Sequence, residues 1–392
     1  MLLLDLTHTS HTRARTGIQR VCRSLFAELP AREAARGICF DPHLGAWRPL
    51  DAGELAALSD RSARAGQSRG ARWSLAQKIS GHARRLTGRR PTLPAATGLV
   101  CPELFSPKVA AQLPALFAHT RGPRVALFHD AIGLKFPELT PPGTVARLPG
   151  YLRELLQFDG IAAVSEDSAA SLRDFWSWLG VTHAPPVQVI PLGIDPVPAA
   201  ASASTSATDP KRRVLCVSTV EGRKNHLALL DAAETLWREG VVFELELIGL
   251  ARADTAAAAL NRIRALQAAG RALVFHGSVS DAELQAAYQR CAFTVYPSLV
   301  EGFGLPVLES LQHGKPCICA ARGALGESAR GGGCVVLHPV DSASLAAALR
   351  RLLGSAQERD ALAAAARGRT FRTWSGYADD LGSWMKTLKR RD

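Results

Sequence analysis

Residues 298–310 read S-L-V-E-G-F-G-L-P-V-L-E-S, a stretch with two glycines, a proline and two glutamates. The apolar run from Cys291 to Tyr296 precedes it and has the composition of a buried parallel strand. Gly302 and Gly304 then predict a glycine loop, and Pro306 suits the first position of a helix. The predicted order is strand, glycine loop, helix. Such a loop lets backbone amides approach an anion, and the helix N-terminus adds partial positive charge.

Two glutamates frame this loop. Glu301 precedes the predicted helix, and Glu309 lies about one turn inside it, where helical side chains tilt back toward the N-terminus. Both carboxylates can therefore face one ligand, and each accepts two hydrogen bonds, which suits vicinal hydroxyls of a sugar and a ribose. The alternative for either glutamate alone is a solvated side chain at an ordinary strand–loop–helix corner.

Two glutamates eight residues apart around G-F-G-L-P resemble the signature of glycosyltransferase family 4, a retaining family with the GT-B fold. The resemblance implies an α/β chain with two Rossmann-like domains, whose doubly wound parallel sheets face a cleft. It implies that Glu301 holds the transferred sugar and that Glu309 holds the nucleotide ribose. It also assigns donor binding to the loop residues Gly302, Phe303, Gly304 and Leu305.

Length and composition narrow the class further. A chain of 392 residues, 47% hydrophobic, predicts two globular domains. The net charge of +12 favours an anionic partner such as a nucleotide diphosphate, a pyrophosphate-linked lipid, an anionic membrane or nucleic acid. The sequence contains no run of about 18 uncharged apolar residues, so no transmembrane helix is predicted. The first residues do not resemble a signal peptide. The eight cysteines form no C-x-x-C pair, which predicts reduced thiols, no zinc site and a cytoplasmic location.

The segment 196–212 is predicted to be a linker, because its stretch Pro196–Pro210 is bounded by prolines and rich in alanine, serine and threonine. It separates an acceptor-binding domain over 1–195 from a nucleotide-sugar-binding domain over 213–372. The segment 373–392 resembles the closing helix of the family, which crosses back to the first domain.

Two places in the first domain resemble family site positions. Gly17 opens a predicted helix after the first strand and a polar loop, and the resemblance assigns it and Arg20 to the acceptor. A solvated helix surface is the alternative for Arg20. His129 follows the strand Arg124–Phe128, at the carboxyl end where ligands bind in doubly wound sheets. The resemblance gives His129 a catalytic role beside the sugar; the alternative is a structural histidine.

The strand Arg213–Val217 is followed by S-T-V-E-G-R-K-N-H over 218–226. A basic pair ahead of a helix opposes the helix dipole unless an anion binds there. The resemblance implies that Lys224 neutralises the leaving diphosphate. Thr219 occupies the usual arginine position of the family, so Arg223 is predicted to substitute from the other side. Donor binding is also assigned to Ser218, Thr219, Gly277 and Val279.

The string T-V-E-G-R-K-N-H is similar to mannosyltransferase-like members of the family, which favours GDP-mannose as donor. The implied acceptor is a saccharide or a polyprenyl-diphosphate-linked saccharide in surface polysaccharide or O-antigen synthesis. No D-x-D metal motif is present in the predicted loops, so neither a metal nor another cofactor is expected. A nucleotide-sugar epimerase of GT-B architecture is one alternative, although epimerases lack this glutamate motif. The other alternative is a basic nucleic-acid-binding protein. The sequence contains no recognised nucleic-acid-binding module, so nucleic acid is not expected to be a partner.

The segment 61–90 is strongly basic, because no acidic residue occurs between Asp60 and Glu103. Within it, 72–86 is predicted to form a helix with Leu75, Ile79 and Leu86 near one face and Trp73 at the apolar margin. Such a helix suits an anionic membrane surface and predicts a peripheral protein on the inner face of the cytoplasmic membrane. The alternative is a solvated loop. The segment contains the cations Arg61, Arg64, Arg69, Arg72, Lys78, Arg84, Arg85, Arg89 and Arg90.

Overall fold

The chain divides into two compact units in a computed structural model that describes residues 1–14, 17–32, 34–60, 70–197, 212–252 and 255–391. The first unit combines Met1–Pro137, Pro141–Gly193 and Arg372–Asp392, and the second combines Glu138–Thr140 and Ile194–Phe371. Most of the predicted linker and residues 61–69 of the basic segment lie outside the described residues.

The first unit is built on a seven-stranded sheet in the order β3-β2-β1-β4-β5-β6-β7. Its central strands are short apolar runs buried along their whole length, as expected for strands covered on both faces. The strands are β1 Leu2–Asp5, β2 Ala35–Asp41, β3 Ala46–Pro49, β4 Gly98–Cys101, β5 Arg124–Phe128, β6 Gly160–Ala163 and β7 Val187–Val189.

The expectation of a wholly parallel sheet is wrong at one edge of this unit, where β3 pairs antiparallel with β2. The connection between them covers only residues 42–45, and Gly45 adopts a φ of +70°. A parallel return needs a crossover of a dozen or more residues, whereas this length permits a hairpin. The hairpin carries Arg48, whose guanidinium pairs with Glu54 at 2.7 Å.

Helices cover both faces of the first sheet, and their largest fully buried side chains include Trp176 and Tyr151. The helix after the first loop buries Val21, Cys22 and Leu25, as its 3.6-residue period predicts. The helices are α1 Gly17–Glu28, α2 Ala52–Ser59, α3 Leu75–Leu86, α4 Pro107–Ala110, α5 Leu113–Ala118, α6 Ile132–Lys135, α7 Pro142–Glu154 and α8 Glu166–Trp178.

The second unit contains a six-stranded sheet in the order β10-β9-β8-β11-β12-β13, with every neighbouring pair parallel. Its strands are β8 Arg213–Val217, β9 Glu244–Ile248, β10 Leu273–Phe275, β11 Phe293–Tyr296, β12 Cys317–Ala320 and β13 Cys334–Leu337. Its helices are α9 His226–Arg238, α10 Ala257–Ala268, α11 Asp281–Arg290, α12 Leu305–Gln312, α13 Gly323–Ala329, α14 Ser342–Gly354 and α15 Ala356–Arg367.

The strand order reverses between β8 and β11, so the second sheet has its topological switch point there. Ligands of doubly wound folds bind at the carboxyl ends of the strands that flank such a point. The predicted α/β fold with two Rossmann-like sheets is thereby confirmed.

The last helix, α16 Trp374–Met385, belongs to the first unit. It buries Trp374 and Tyr377. Thr373, the residue before the helix, lies so close to Gly193 that a Cβ on Gly193 would be 2.5 Å from the carbonyl carbon of Thr373. Glycine is therefore required at residue 193. No helix within the described ranges combines the length and apolar character needed to cross a membrane.

Candidate active site

Two loops meet at the switch point of the second sheet, one after β8 and one after β11. The amide of Leu299 donates a hydrogen bond to the carbonyl oxygen of Arg223 at 2.9 Å, and the Ser298 hydroxyl donates to the same oxygen at 3.3 Å. The guanidinium of Arg223 donates back to the carbonyl oxygen of Val300 at 3.2 Å. The basic motif and the first glutamate are thus fixed against each other.

Glu301 is the centre of this junction. Arg223 donates to its Oε2 at 2.7 Å, while the Lys224 ammonium and the Ser298 hydroxyl donate to its Oε1. Lys224 also donates to the hydroxyl of Tyr296 at 2.6 Å, and that hydroxyl donates to Glu301 at 3.0 Å. Lys224 is 7% exposed and Glu301 9% exposed, so these two side chains are almost closed to water.

The charges of this cluster are set by burial and by each other. Burial opposes ionisation of Glu301, but Lys224 and Arg223 hold its pKa at about 2, so it is a carboxylate at neutral pH. Burial lowers the pKa of Lys224, and Arg223 adds to this, while Glu301 offsets part of the shift. Burial and Glu301 raise the pKa of Tyr296, which keeps its hydroxyl protonated as a donor. Glu221 also pairs with Arg223 at 2.9 Å, and the Arg252 guanidinium lies 3.7 Å from Glu221, so three cations and two carboxylates meet here.

The glycine loop is shaped by close packing. Gly304 caps α12 with a φ of +110°, and a Cβ there would lie 2.9 Å from Cδ2 of Leu325. The hydroxyl of Ser328 donates to the carbonyl oxygen of Phe303 at 2.8 Å, which fixes the loop before the helix. Pro306 is the second residue of α12, one position later than predicted, and lies in its first turn. The first amides of a helix have no partner within it, so this end suits an anionic group.

Glu309, 8% exposed, is supported by Tyr288 of α11 and by His313, which directly follows α12. The Tyr288 hydroxyl donates to its Oε2 at 3.2 Å. The His313 ring stacks on the Tyr288 ring, with 4.6 Å between the ring centres. Its Nδ1 lies 2.7 Å from the carbonyl oxygen of Glu309, and its Nε2 lies 2.6 Å from Oε1 of Gln285. This arrangement fixes the carboxylate before any ligand arrives.

The remaining predicted donor residues lie on the loops around this junction. The Ser218 hydroxyl lies 3.1 Å from Nε2 of His226, and Thr219 beside it is half-buried. Gly277 has a φ of +65°, and its carbonyl oxygen accepts from the Gly249 amide at 2.8 Å. Val279 packs in the apolar cluster that contains Tyr288, and therefore next to the support of Glu309.

His226 carries an unsatisfied polar atom. Burial and the charge of Lys224 lower its pKa to about 4, so the ring is neutral. Its Nδ1 has no hydrogen-bond partner among the described residues.

The three site residues predicted in the first unit lie at the predicted ends of their elements. His129 follows β5 and is 6% exposed, and its Nε2 donates to the Pro102 carbonyl oxygen at 2.7 Å. Burial lowers its pKa below 6.5, so it is neutral at pH 7. Gly17 begins α1 with open space beside it, and Arg20 is half-buried. The roles of these three residues stay predictions.

Two groups of site residues were missed by the sequence analysis. Tyr296 was assigned only to a buried strand, although a hydroxyl on the last residue of a strand at the switch point could have indicated a contact with Glu301. Tyr288 and His313 carry no local signal, because they support Glu309 only through the packing of α11 against α12.

Residues 200–369 match the family model described as glycosyl transferases group 1. The serotype-specific mannosyltransferase WbdA of Escherichia coli is 27% identical over 349 residues, which cover 81% of this chain and 38% of WbdA. The D-inositol 3-phosphate glycosyltransferase of Stackebrandtia nassauensis is 37% identical over 112 residues, which cover 28% of this chain and 25% of that enzyme. The chain thus spans less than half the length of these curated relatives.

Solved structures share the fold over nearly the whole chain. Anabaena Alr3699/HepE in complex with UDP-glucose superposes with a TM-score of 0.69 at 16% identity and covers 99% of both chains. WaaG, a glycosyltransferase involved in lipopolysaccharide biosynthesis, superposes with a TM-score of 0.62 at 15% identity and covers 99% of this chain and 100% of WaaG. At these identities the similarity concerns the fold alone.

Together with the order of the strands, these structural similarities show that the chain has the GT-B fold. The match of residues 200–369 to the group 1 glycosyl transferases confirms the predicted family resemblance for that part of the chain.

Proposed function

We propose that this chain transfers mannose from GDP-mannose to a saccharide or polyprenyl-diphosphate-linked acceptor, with retention of anomeric configuration, in the synthesis of a surface polysaccharide. The observation that carries the proposal is the cluster of half-buried Arg223 with buried Lys224 and Glu301 at the switch point of the second sheet. Similarity to WbdA, a mannosyltransferase, supports mannose as the sugar. HepE was solved in complex with UDP-glucose, so a UDP-sugar is the alternative donor to be tested.

The donor diphosphate binds against Arg223, Lys224 and the amides at the start of α12. Glu301 accepts hydrogen bonds from the sugar hydroxyls, and Glu309 accepts them from the ribose. Tyr296 and Tyr288 are positioning residues in this scheme, because each donates a hydrogen bond to one of the two carboxylates.

Transfer proceeds by substitution on one face of the sugar. The acceptor oxygen bonds to the anomeric carbon, the bond from that carbon to the phosphate oxygen breaks, and the acceptor proton passes to the leaving diphosphate. Arg223 and Lys224 stabilise the charge that develops on the diphosphate, and stabilisation of this kind usually contributes more to catalysis than any other effect. Double displacement would instead require two carboxyl groups about 5–5.5 Å apart across the reacting bond.

A thermal-shift comparison of GDP-mannose, UDP-glucose, GDP and UDP tests the donor. We expect GDP-mannose to stabilise the protein most, by about 2.7 kcal/mol at a hundredfold excess over its Kd. Glu309→Ala should lose most of that shift, because the ribose loses its acceptor. Glu239→Ala, an exposed glutamate of the same unit, is the matched control. A larger shift with UDP-glucose would reassign the donor, and no shift with any nucleotide sugar would refute the proposal.

We also propose that transfer needs no metal, because Arg223 and Lys224 supply the positive charge that a metal would give to the diphosphate. Turnover in EDTA should equal turnover with magnesium. Loss of activity on chelation, with recovery on adding magnesium or manganese, would contradict this expectation.

The proposed site of action is the cytoplasmic face of the membrane, where a polyprenyl-linked acceptor is held in the bilayer. The enzyme is therefore proposed to be a peripheral protein on an anionic membrane surface.

A further inference from the structure

Helix α3 is fixed to the first unit by one face. The Trp73 ring, just before the helix, stacks on His11 at 3.6 Å, and the Gln77 side chain donates to Oε1 of Glu54 at 2.9 Å. A Cβ at Gly81 would lie 2.8 Å from Cβ of His43, so the helix approaches the hairpin too closely for any larger residue. Residues four apart share one helical face, and these three positions define the inner face of α3.

A buried ionic network holds this inner face in place. Arg48 donates to both oxygens of Glu54, at 2.7 and 2.8 Å, and to Asp41 at 2.9 Å. The Arg48 guanidinium also lies 5.5 Å from the centre of the Trp73 ring. The sequence-based expectation that Trp73 lies at the outer apolar margin is therefore wrong, because the tryptophan packs inward as an anchor.

The opposite face of α3 carries large apolar side chains that point into solvent. Leu75 is 73% exposed, Ile79 61% and Leu86 88%. At 3.6 residues per turn, these three positions fall about half a turn away from Trp73, Gln77 and Gly81. A surface helix normally turns its apolar stripe toward the core, so α3 has the reverse orientation.

Exposed cations surround this apolar stripe. No carboxylate of the described residues pairs with any of them, and the sequence contains no acidic residue over 61–102. Two copies of such a surface would repel each other, whereas an anionic surface would neutralise it. The described cations are Arg72, Lys78, Arg84, Arg85, Arg89 and Arg90, all exposed.

We propose that the outward face of α3 is a docking surface for an anionic lipid bilayer. Leu75, Ile79 and Leu86 enter the boundary between headgroups and acyl chains, and the surrounding cations contact anionic headgroups. This inference rests on the proposed function in that the acceptor is carried by a lipid.

Docking through α3 also determines what lies close to the membrane. The amide of Arg72 donates to the carbonyl oxygen of His11 at 2.7 Å, in addition to the ring stacking of Trp73. His11 ends the short turn Thr9–His11 that follows β1, in the loop before Gly17 and Arg20, the residues that the family resemblance assigns to the acceptor. A bilayer bound at α3 therefore lies beside the loop that would receive the lipid-borne acceptor.

Vesicle co-sedimentation tests the proposal with phosphatidylcholine vesicles that contain or lack phosphatidylglycerol. We expect binding to the anionic vesicles only, weakened by added salt. A quadruple glutamine variant at Arg84, Arg85, Arg89 and Arg90 should bind on the order of 100-fold or more weakly, since each cation near an anionic leaflet contributes appreciably. The charge-matched control carries glutamine at the exposed arginines of the second unit, Arg264, Arg350, Arg351 and Arg367.

A second variant, Leu75→Ser/Ile79→Ser/Leu86→Ser, tests the apolar stripe separately. It removes only exposed side chains, so it should fold, bind GDP-mannose as the unchanged protein does, and still lose vesicle binding by at least about tenfold. Val242→Ser, at a residue 81% exposed in the second unit, is its control.

Binding to neutral and anionic vesicles alike, binding unchanged in both variants, or no binding to either vesicle overturns the docking surface. Self-association that the triple serine variant abolishes, without vesicle binding, would assign the face to a second copy of the chain and also overturn it. Vesicle binding without a donor-dependent thermal shift would instead leave the docking surface standing and refute the proposed transfer.

Discussion

We expect Lys224→Ala to lower turnover by about 10²–10³-fold, the usual effect of removing one preorganised group that stabilises developing charge. Lys224 contributes a buried ammonium held by Tyr296 and Glu301. Without it, the leaving diphosphate loses a cation and Glu301 keeps only Arg223 as an ionic partner. The loss should therefore appear in the rate of the chemical step, measured as nucleotide diphosphate released in a single turnover.

Two further variants show whether the loss is specific to this position. Arg238→Ala removes an exposed cation at the far end of α9 and should leave turnover unchanged. Tyr296→Phe keeps both charges of the ion pair and removes one hydrogen bond, so its loss should be smaller than that of Lys224→Ala. Turnover of Lys224→Ala within twofold of the unchanged protein, in a variant with unaltered thermal stability, would remove Lys224 from the site.

The corner between β11 and α12 could be predicted because its chemistry is local. A glycine with positive φ, a proline in the first helical turn and an apolar run before them each constrain only their neighbours. The contact between Lys224 and Glu301 is different, since 77 residues separate them in the chain. It arises because β8 and β11 are neighbours in the sheet, and the sequence pattern alone does not give the order of the strands.

Other features depend on packing that no sequence window contains. The support of Glu309 by Tyr288 and His313 requires α11 and α12 to lie side by side. Helix α3 was predicted from its periodicity, but periodicity gives the existence of an apolar face and not its direction. The direction of the apolar face is determined by the close approach of Gly81 to the hairpin of β2 and β3. That hairpin was not predicted, because the strands were expected to be parallel.

The largest effect on stability is expected from substitution of Asp159. This residue is 1% exposed and lies directly before β6. It accepts hydrogen bonds from the guanidinium of Arg124 at 2.6 and 2.7 Å and from the Arg124 amide at 2.7 Å. The amide of Arg391, near the end of the chain, donates to it at 2.6 Å. One carboxylate thus joins β5 to the segment after α16.

Asp159→Ala should lower the free energy of unfolding by about 3–5 kcal/mol, because Arg124 would remain 6% exposed without its carboxylate. Urea unfolding measures this, and Asp174→Ala, an exposed aspartate of α8, should change it by no more than about 0.5 kcal/mol. The double variant Arg124→Met/Asp159→Leu should recover much of the loss, since it leaves no unpaired charge. A double variant as unstable as Asp159→Ala would mean that the hydrogen bonds to the amides, and not the unpaired guanidinium, cause the loss.

The same contacts determine how this stabilisation depends on pH. Burial alone would raise the pKa of Asp159, but the hydrogen bonds from Arg124 and Arg391 hold it below its usual 3.8. A carboxyl whose pKa is lower in the folded state stabilises the fold above its unfolded-state pKa, and the effect disappears as the pH falls through the folded-state pKa. The difference in unfolding free energy between the unchanged protein and Asp159→Ala should therefore be constant near neutral pH and shrink below about pH 4. A difference that stayed constant into acid would exclude the ionised carboxylate as its source.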